Sequence, residues 1–473
     1  MLKTFRSFLL VTLFLLLFFN VSATSIRCEN KEYAGKELLF YRWDDPVSNS
    51  RSEAFTLKLD RDGTGSVSVD VKQTTYFFSD FGVYRGMLFA ETGKTIELKL
   101  PPLREKSFVD EKNPYFQPVS FWFVTESGDQ LNDKVSGFEQ QLNYLTDKYF
   151  NELYLHQSKA AFDSVSTAIN QMVPSDASET LVQHKTLKLK MLEADIFRMR
   201  PESYAAVFNE IDAKYWLHPA FMEALNKTFD RQLSFSAQAI GGDVVRIAVA
   251  AEDVSGLTAY VEKKFKVKGQ TNNIVLLKML HDGFYSGEFN QQNIQNLVSA
   301  DRFTKSPNKV VKTTAADLLQ KFSFLAKGTK APAICLNNLE GEEVCTNAGK
   351  DKFKYIIFAD AETAVSREHL KYLSRIDELF PKHLEIFVVL RNTDHQSAGE
   401  FFKDQDIPAQ ILWDENGTYI EKYKIRSFPQ CILLDEEHRV VFENAKAPLD
   451  GFEEQFGTWL RNELFQRQRN QSR

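Results

Sequence analysis

One stretch near the C-terminus restricts the possible folds more than any other. The segment KYIIFADAETAVSREHLKYL, starting at Lys354, passes from an unbroken apolar run through a short loop into residues with helical spacing. The apolar run reads as a buried strand and SREHLKYLSRIDELF as a helix. A second apolar run, LEIFVVLR, follows. Strand, helix and strand in succession predict a right-handed βαβ unit within a mixed sheet. QILWD, a hairpin in CILLDEEHRVVFE and a last helix in GFEEQFGTWLRNEL extend this into an α/β domain expected over residues 327–467. At its start, APAICLNNLEGEEVCTN predicts a hairpin turning around Glu340 and Gly341.

The rest of the chain has two other textures. From Glu32 to Val124, short runs rich in β-branched and aromatic residues (KELLFYRW, AFTLKLD, GSVSVDV, TTYFFSDF, YRGMLFA, KTIELKL) alternate with turn signals. This pattern predicts a β-sandwich over residues 28–130, with PVSFWFVT as a late strand. Residues 137–325 change to three- and four-residue apolar spacing and predict an α-helical region. Ser175 or Asp176 is the expected cap of the helix in ETLVQHKTLKLKMLEADIFRM, and Pro201 and Pro219 mark helix starts. A chain of 473 residues is too long for one core. The expected class is therefore multidomain: β-sandwich, helical region, α/β domain. Forty Phe residues favour aromatic cores over disorder, and a formal net charge of -6 offers no basic footprint for nucleic acid.

The first residues predict a signal peptide over 1–23. Lys3 and Arg6 precede an apolar run from Phe8 to Phe19, and Val21, Ser22 and Ala23 supply small residues for cleavage. The run is short for a membrane span, and an uncleaved anchor is the alternative. Charged Arg27 before Cys28 argues against lipidation, so Cys28 is expected as a free or paired thiol. No second apolar run is long enough to span a bilayer. The expected location is the periplasm or cell envelope.

Gly328, Ala331-Pro332, Phe358 and IRSFPQCILLD carry a resemblance. Residues 327 to 465 resemble the thioredoxin-like fold of the periplasmic TlpA-like type. The β-rich block followed by helices resembles the N-terminal region of envelope thioredoxin-like proteins common in Bacteroidota. The resemblance implies that Pro429 is cis and faces a redox loop. It places Thr363 and Ser366 where such proteins carry Cys-x-x-Cys. It also places Ile357 where many keep a buried carboxylate, and Glu362 where a tryptophan often precedes the first cysteine. A thioredoxin-type cysteine works because a helix N-terminus lowers its pKa. An alcohol gains too little there without a general base. His369 lies one helical turn beyond Ser366, but no oxyanion motif accompanies it, and an N-cap role is the simpler expectation for the two hydroxyls.

Centring the predicted hairpin on Glu340 puts Cys335 opposite Cys345, close enough to make a disulfide plausible in an oxidising compartment. Two readings stand: a structural staple, or a displaced redox pair. Cys431 alternates into a strand and reads as a small core residue. The eight His residues show no metal-binding spacing, and no cofactor is expected. The functional expectation is an exported protein without dithiol chemistry at the usual site. Its groove, lined by Glu362, Thr363, Ser366, Phe428 and Pro429, would take an extended envelope polypeptide as an added strand. The alternative is a thiol–disulfide oxidoreductase using Cys335 and Cys345.

Overall fold

The computed structural model describes residues 23–471, apart from 114, 126, 129, 350, 392–394, 404 and 406. The expected signal peptide thus lies, but for Ala23, outside the described residues. The chain divides into two compact units, Met1–Lys321 and Phe322–Arg473.

The first unit begins with strands β1 (Thr24–Glu29), β2 (Glu37–Trp43), β3 (Arg51–Lys58), β4 (Thr64–Val69), β5 (Thr75–Phe81), β6 (Tyr84–Ala90), β7 (Thr95–Leu98) and β8 (Val119–Trp122). They form a five-stranded sheet, order β3-β2-β5-β6-β8, and a three-stranded sheet, order β4-β1-β7. Ile26 and Ile96 from the smaller sheet pack with Phe40, Leu57, Phe77 and Leu88 from the larger. This is the sandwich that the alternating pattern predicts. β1 is an addition to the expected strands. It pairs antiparallel with β4 and parallel with β7, and buries Ile26 and Cys28. The brevity of the run hides it in the sequence.

The opposite face of the five-stranded sheet is also covered. Tyr76, Phe78, Phe89 and Trp122 pack against Val135, Phe138, Leu181 and Ile196 of the helical region. Each large apolar side chain buried this way contributes roughly 1.5–3 kcal/mol. The first of these helices, Leu131–Lys148, starts ahead of Gly137. Its polar first turn conceals the start, because Asn132 is a clamp and not a surface residue. Its Oδ1 accepts from Phe89 N–H at 2.7 Å and its Nδ2 donates to Phe89 O at 2.9 Å. The helix Glu179–Ile196 is capped by Ser178, not by Ser175 or Asp176. Pro201 and Pro219 do open helices.

The second unit holds β9 (Cys335–Asn337), β10 (Glu343–Cys345), β11 (Phe353–Ala359), β12 (Leu384–Arg391), β13 (Gln410–Asp414), β14 (Gln430–Leu434) and β15 (Val440–Ala445). β11 to β15 form a five-stranded sheet, order β13-β12-β11-β14-β15. β13, β12 and β11 run parallel, and β14 and β15 are antiparallel additions. Every residue of β11 is buried because both faces are covered. Tyr355 and Ile357 point to one core with Leu370, Ile376, Phe452 and Phe456. Ile356 and Phe358 point to another with Ile334, Leu412 and Tyr423. A period of two with two apolar faces is what makes the run continuous. Lys354 is the polar exception. Fully buried, its Nζ donates to Gly349 O at 2.6 Å and Lys352 O at 2.8 Å. The unit has the thioredoxin-like α/β arrangement expected of it.

Candidate functional site

The site is set by the register at the end of β11. Residues after a parallel strand emerge at the sheet's C-terminal edge, where α/β proteins place their chemistry. Phe358 pairs with Gln430 of β14, so Phe428 and Pro429 lie just beyond, beside the chain leaving β11. Ala359 pairs with Leu390 of β12, which brings Arg391 alongside Asp360. The Phe428–Pro429 peptide bond is cis.

Asp360 organises the loop. It is almost fully buried. Its Oδ1 accepts from Glu362 N–H at 3.0 Å, and its carbonyl accepts from Thr363 N–H at 3.0 Å. Arg391 Nη1 stands 3.8 Å from Asp360 Oδ2, and its guanidinium lies 5.2 Å from the Phe428 ring centre. A cation thus links the loop to the proline segment by charge on one side and by the aromatic face on the other. Sequence reasoning missed both Asp360 and Arg391. Their positions at the carboxyl ends of β11 and β12 are the signal that could have found them.

Thr363 caps the helix Ala364–Lys371. Its Oγ1 accepts from Ser366 N–H at 3.4 Å and donates to Asp360 O at 2.9 Å. Ser366 does different work from the expected capping. It is fully buried within the helix, and its Oγ accepts from Asp360 N–H at 3.2 Å. Both hydroxyls are therefore engaged in closing the loop onto the helix. His369 has a partner outside the loop. Its Nδ1 accepts from Leu449 N–H at 3.2 Å.

Around the loop the surface is partly apolar. Val365 is 60% exposed and Leu449 is 49% exposed. Glu362, Thr363, Phe428 and Pro429 are partly exposed, whereas Ser366 is sealed beneath them. Of the expected groove residues, four reach the surface and Ser366 does not.

Sulfur lies elsewhere. Cys335 and Cys345 sit opposite each other in the β9–β10 hairpin and are disulfide-bonded, with an S–S distance of 2.09 Å. Their register comes from the turn. Asn338 Oδ1 accepts from Glu340 N–H at 3.1 Å and from Glu342 N–H at 2.8 Å. Gly341 adopts φ +86°, which an L side chain rarely does. Ile334 and Thr346 face the core, and the cysteines are half-buried. Cys431 and Cys28 are buried free thiols. Burial pushes the Cys431 thiol up to about 12. Burial, with Glu29 adding, pushes Cys28 up to about 11. Neither forms a useful thiolate near neutral pH. Among the described residues no group of three or more His, Cys, Asp or Glu is placed to hold a metal ion. Among them, too, no helix is long and apolar enough to cross a membrane.

The AhpC/TSA family profile matches residues 327–443. No curated protein matches the chain. Among solved structures, the thioredoxin domain of a thiol-disulfide oxidoreductase from Bacteroides vulgatus is similar at 25% identity, covering 27% of this chain and 94% of that one, with a TM-score of 0.25. A thiol:disulfide interchange protein from Bacteroides sp. is similar at 26% identity, over 28% of this chain and 91% of that one, with a TM-score of 0.25. A thiol-disulfide oxidoreductase from Bacteroides fragilis is similar at 18% identity, over 27% of this chain and 99% of that one, again with a TM-score of 0.25.

Proposed function

We propose that this chain is an exported protein of the periplasm or cell envelope, of the TlpA-like type, whose C-terminal unit binds an extended polypeptide and carries out no dithiol chemistry at the Thr363–Ser366 loop. One observation carries the reading. Both loop hydroxyls are held by hydrogen bonds to the loop and helix backbone, while apolar Val365, Phe428 and Pro429 remain partly open beside them. A site without a nucleophile but with exposed apolar side chains at a sheet end suits binding better than turnover. The leader-like first residues and a bonded cysteine pair support an oxidising compartment.

The test uses the full-length protein and the reduced, alkylated insulin B chain as an extended, thiol-free probe. Calorimetric binding that weakens in Phe428→Ala supports the reading. No measurable heat with this probe, together with no shift of signals from the Thr363 loop, overturns it. A second reading keeps one specific observation in its favour, the half-buried Cys335–Cys345 bond. In that reading the hairpin pair is a displaced redox centre. Insulin reduction by the wild type that disappears in Cys335→Ser would replace the first reading with the second.

A further inference from the structure

The first unit contains a cavity that the proposed function does not use. It has a volume of about 510 Å³ and lies where β2, β5 and β6 meet the helical region. That size is within the usual range of about 300–1,000 Å³ for small-molecule sites. Its depth and its mouth differ in chemistry. The inner wall carries Tyr76, Phe89, Tyr215 and His218, all buried, with Trp43 half-buried above them. The rings form a continuous surface. Tyr76 and Phe89 are 5.7 Å apart between centres, and Phe89 and His218 are 5.0 Å apart. The mouth carries exposed Arg42, Lys214 and Lys309, against one lining carboxylate, Asp44. Lys214 is also paired to Glu179 at 2.8 Å, which leaves Arg42 and Lys309 as the main source of positive charge.

One further observation points to an anion. The helix Lys309–Ser323 presents its first residues, Lys309 and Val310, to the cavity, adding the positive end of a helix dipole. His218 is 4% exposed, and its Nδ1 accepts from Ala220 N–H at 3.1 Å. The ring proton therefore belongs on Nε2, and among the described residues this buried N–H has no acceptor. The neighbouring His184, ring centre 5.2 Å away, has an Nδ1 that among the described residues has no partner either, while its Nε2 meets Glu139 at 2.7 Å, so these two buried rings offer complementary groups to each other.

We infer that this cavity is a binding site for a small amphipathic organic anion, an aromatic carboxylate, with its ring against Trp43 and Tyr76 and its carboxylate toward Arg42 and Lys309.

Calorimetry on the full-length protein with indole-3-acetate, indole and tryptamine tests it. Indole-3-acetate should bind, with indole and tryptamine each at least about tenfold weaker, because only the acid meets the cationic mouth. Raising the salt should weaken the acid more than indole. Arg42→Ala combined with Lys309→Ala changes exposed side chains only and should remove the preference for the acid while leaving the melting temperature unchanged. Trp43→Ala should weaken all ligands. Absence of binding at millimolar indole-3-acetate overturns the inference. So does equal affinity for the acid and for tryptamine, or binding unaffected by the double substitution.

Discussion

In the Cys335–Cys345 hairpin, two sulfurs face each other across short paired strands. In the loop from Asp360 to Ser366, two hydroxyls stand at the start of a helix. Both belong to the same unit, and each holds one of two features that together make a thioredoxin-type cysteine reactive. The helix start offers the positive field that stabilises a thiolate, but Thr363 and Ser366 bring oxygen to it. The hairpin offers sulfur, but β9 and β10 are strands and supply no helix N-terminus. The difference teaches that in this unit the positive field of a helix start and the sulfur stand apart.

The comparison is broken most directly by moving sulfur to the helix. Thr363→Cys combined with Ser366→Cys should create insulin-reduction activity above the wild-type level, read as turbidity over time. If the double variant stays silent while folded, the loop lacks more than sulfur. Taking sulfur from the hairpin should show its structural side. The bridge closes a short loop, with a sequence separation of 10. Cys335→Ala with Cys345→Ala should therefore cost about 2–3 kcal/mol in a denaturant melt followed by a probe in the second unit. A cost near zero would favour a redox role for the pair.

Smaller changes sharpen the loop side. Ser366→Ala strands the buried Asp360 N–H and should cost roughly 1–2 kcal/mol. Thr363→Ala removes the helix cap and should cost about 1 kcal/mol. If Ser366→Ala proves neutral, its hydroxyl is not held as the geometry has it. The gentlest test alters nothing. A thiol reagent at neutral pH should find no fast-reacting cysteine in the native protein and two after denaturation without reductant, Cys28 and Cys431. A fast native thiol would place reactive sulfur where burial now excludes it.

Much of the second unit was readable in advance. The continuous apolar pattern of β11 and β12 survives because each strand is buried on both faces, so a local signal carries a tertiary fact. The pairing of Cys335 with Cys345 was readable for another reason. Asn338 and Gly341 make the turn, and a tight turn fixes register over the few residues beside it. Ser366 was read less well. A serine at the third position of a helix has several backbone groups within reach, and the choice of Asp360 N–H depends on how the loop folds back. β1 escaped notice because its partners β4 and β7 are distant in sequence and its own alternation is short.

The amino-acid order alone determined the texture of each region, the buried character of β11 and β12, and that Thr363 and Ser366 carry oxygen. Those properties follow from periodicity and side-chain chemistry, which act over a few residues. Only the tertiary structure decided that Arg391 lies between Asp360 and the Phe428 ring, that one five-stranded sheet is covered by strands on one face and helices on the other, and that Trp43, Tyr76 and His218 border one cavity. Such neighbours come from separate strands and helices. Which of them meet depends on the order of strands across a sheet and on the packing of whole faces, and no local window of sequence contains either.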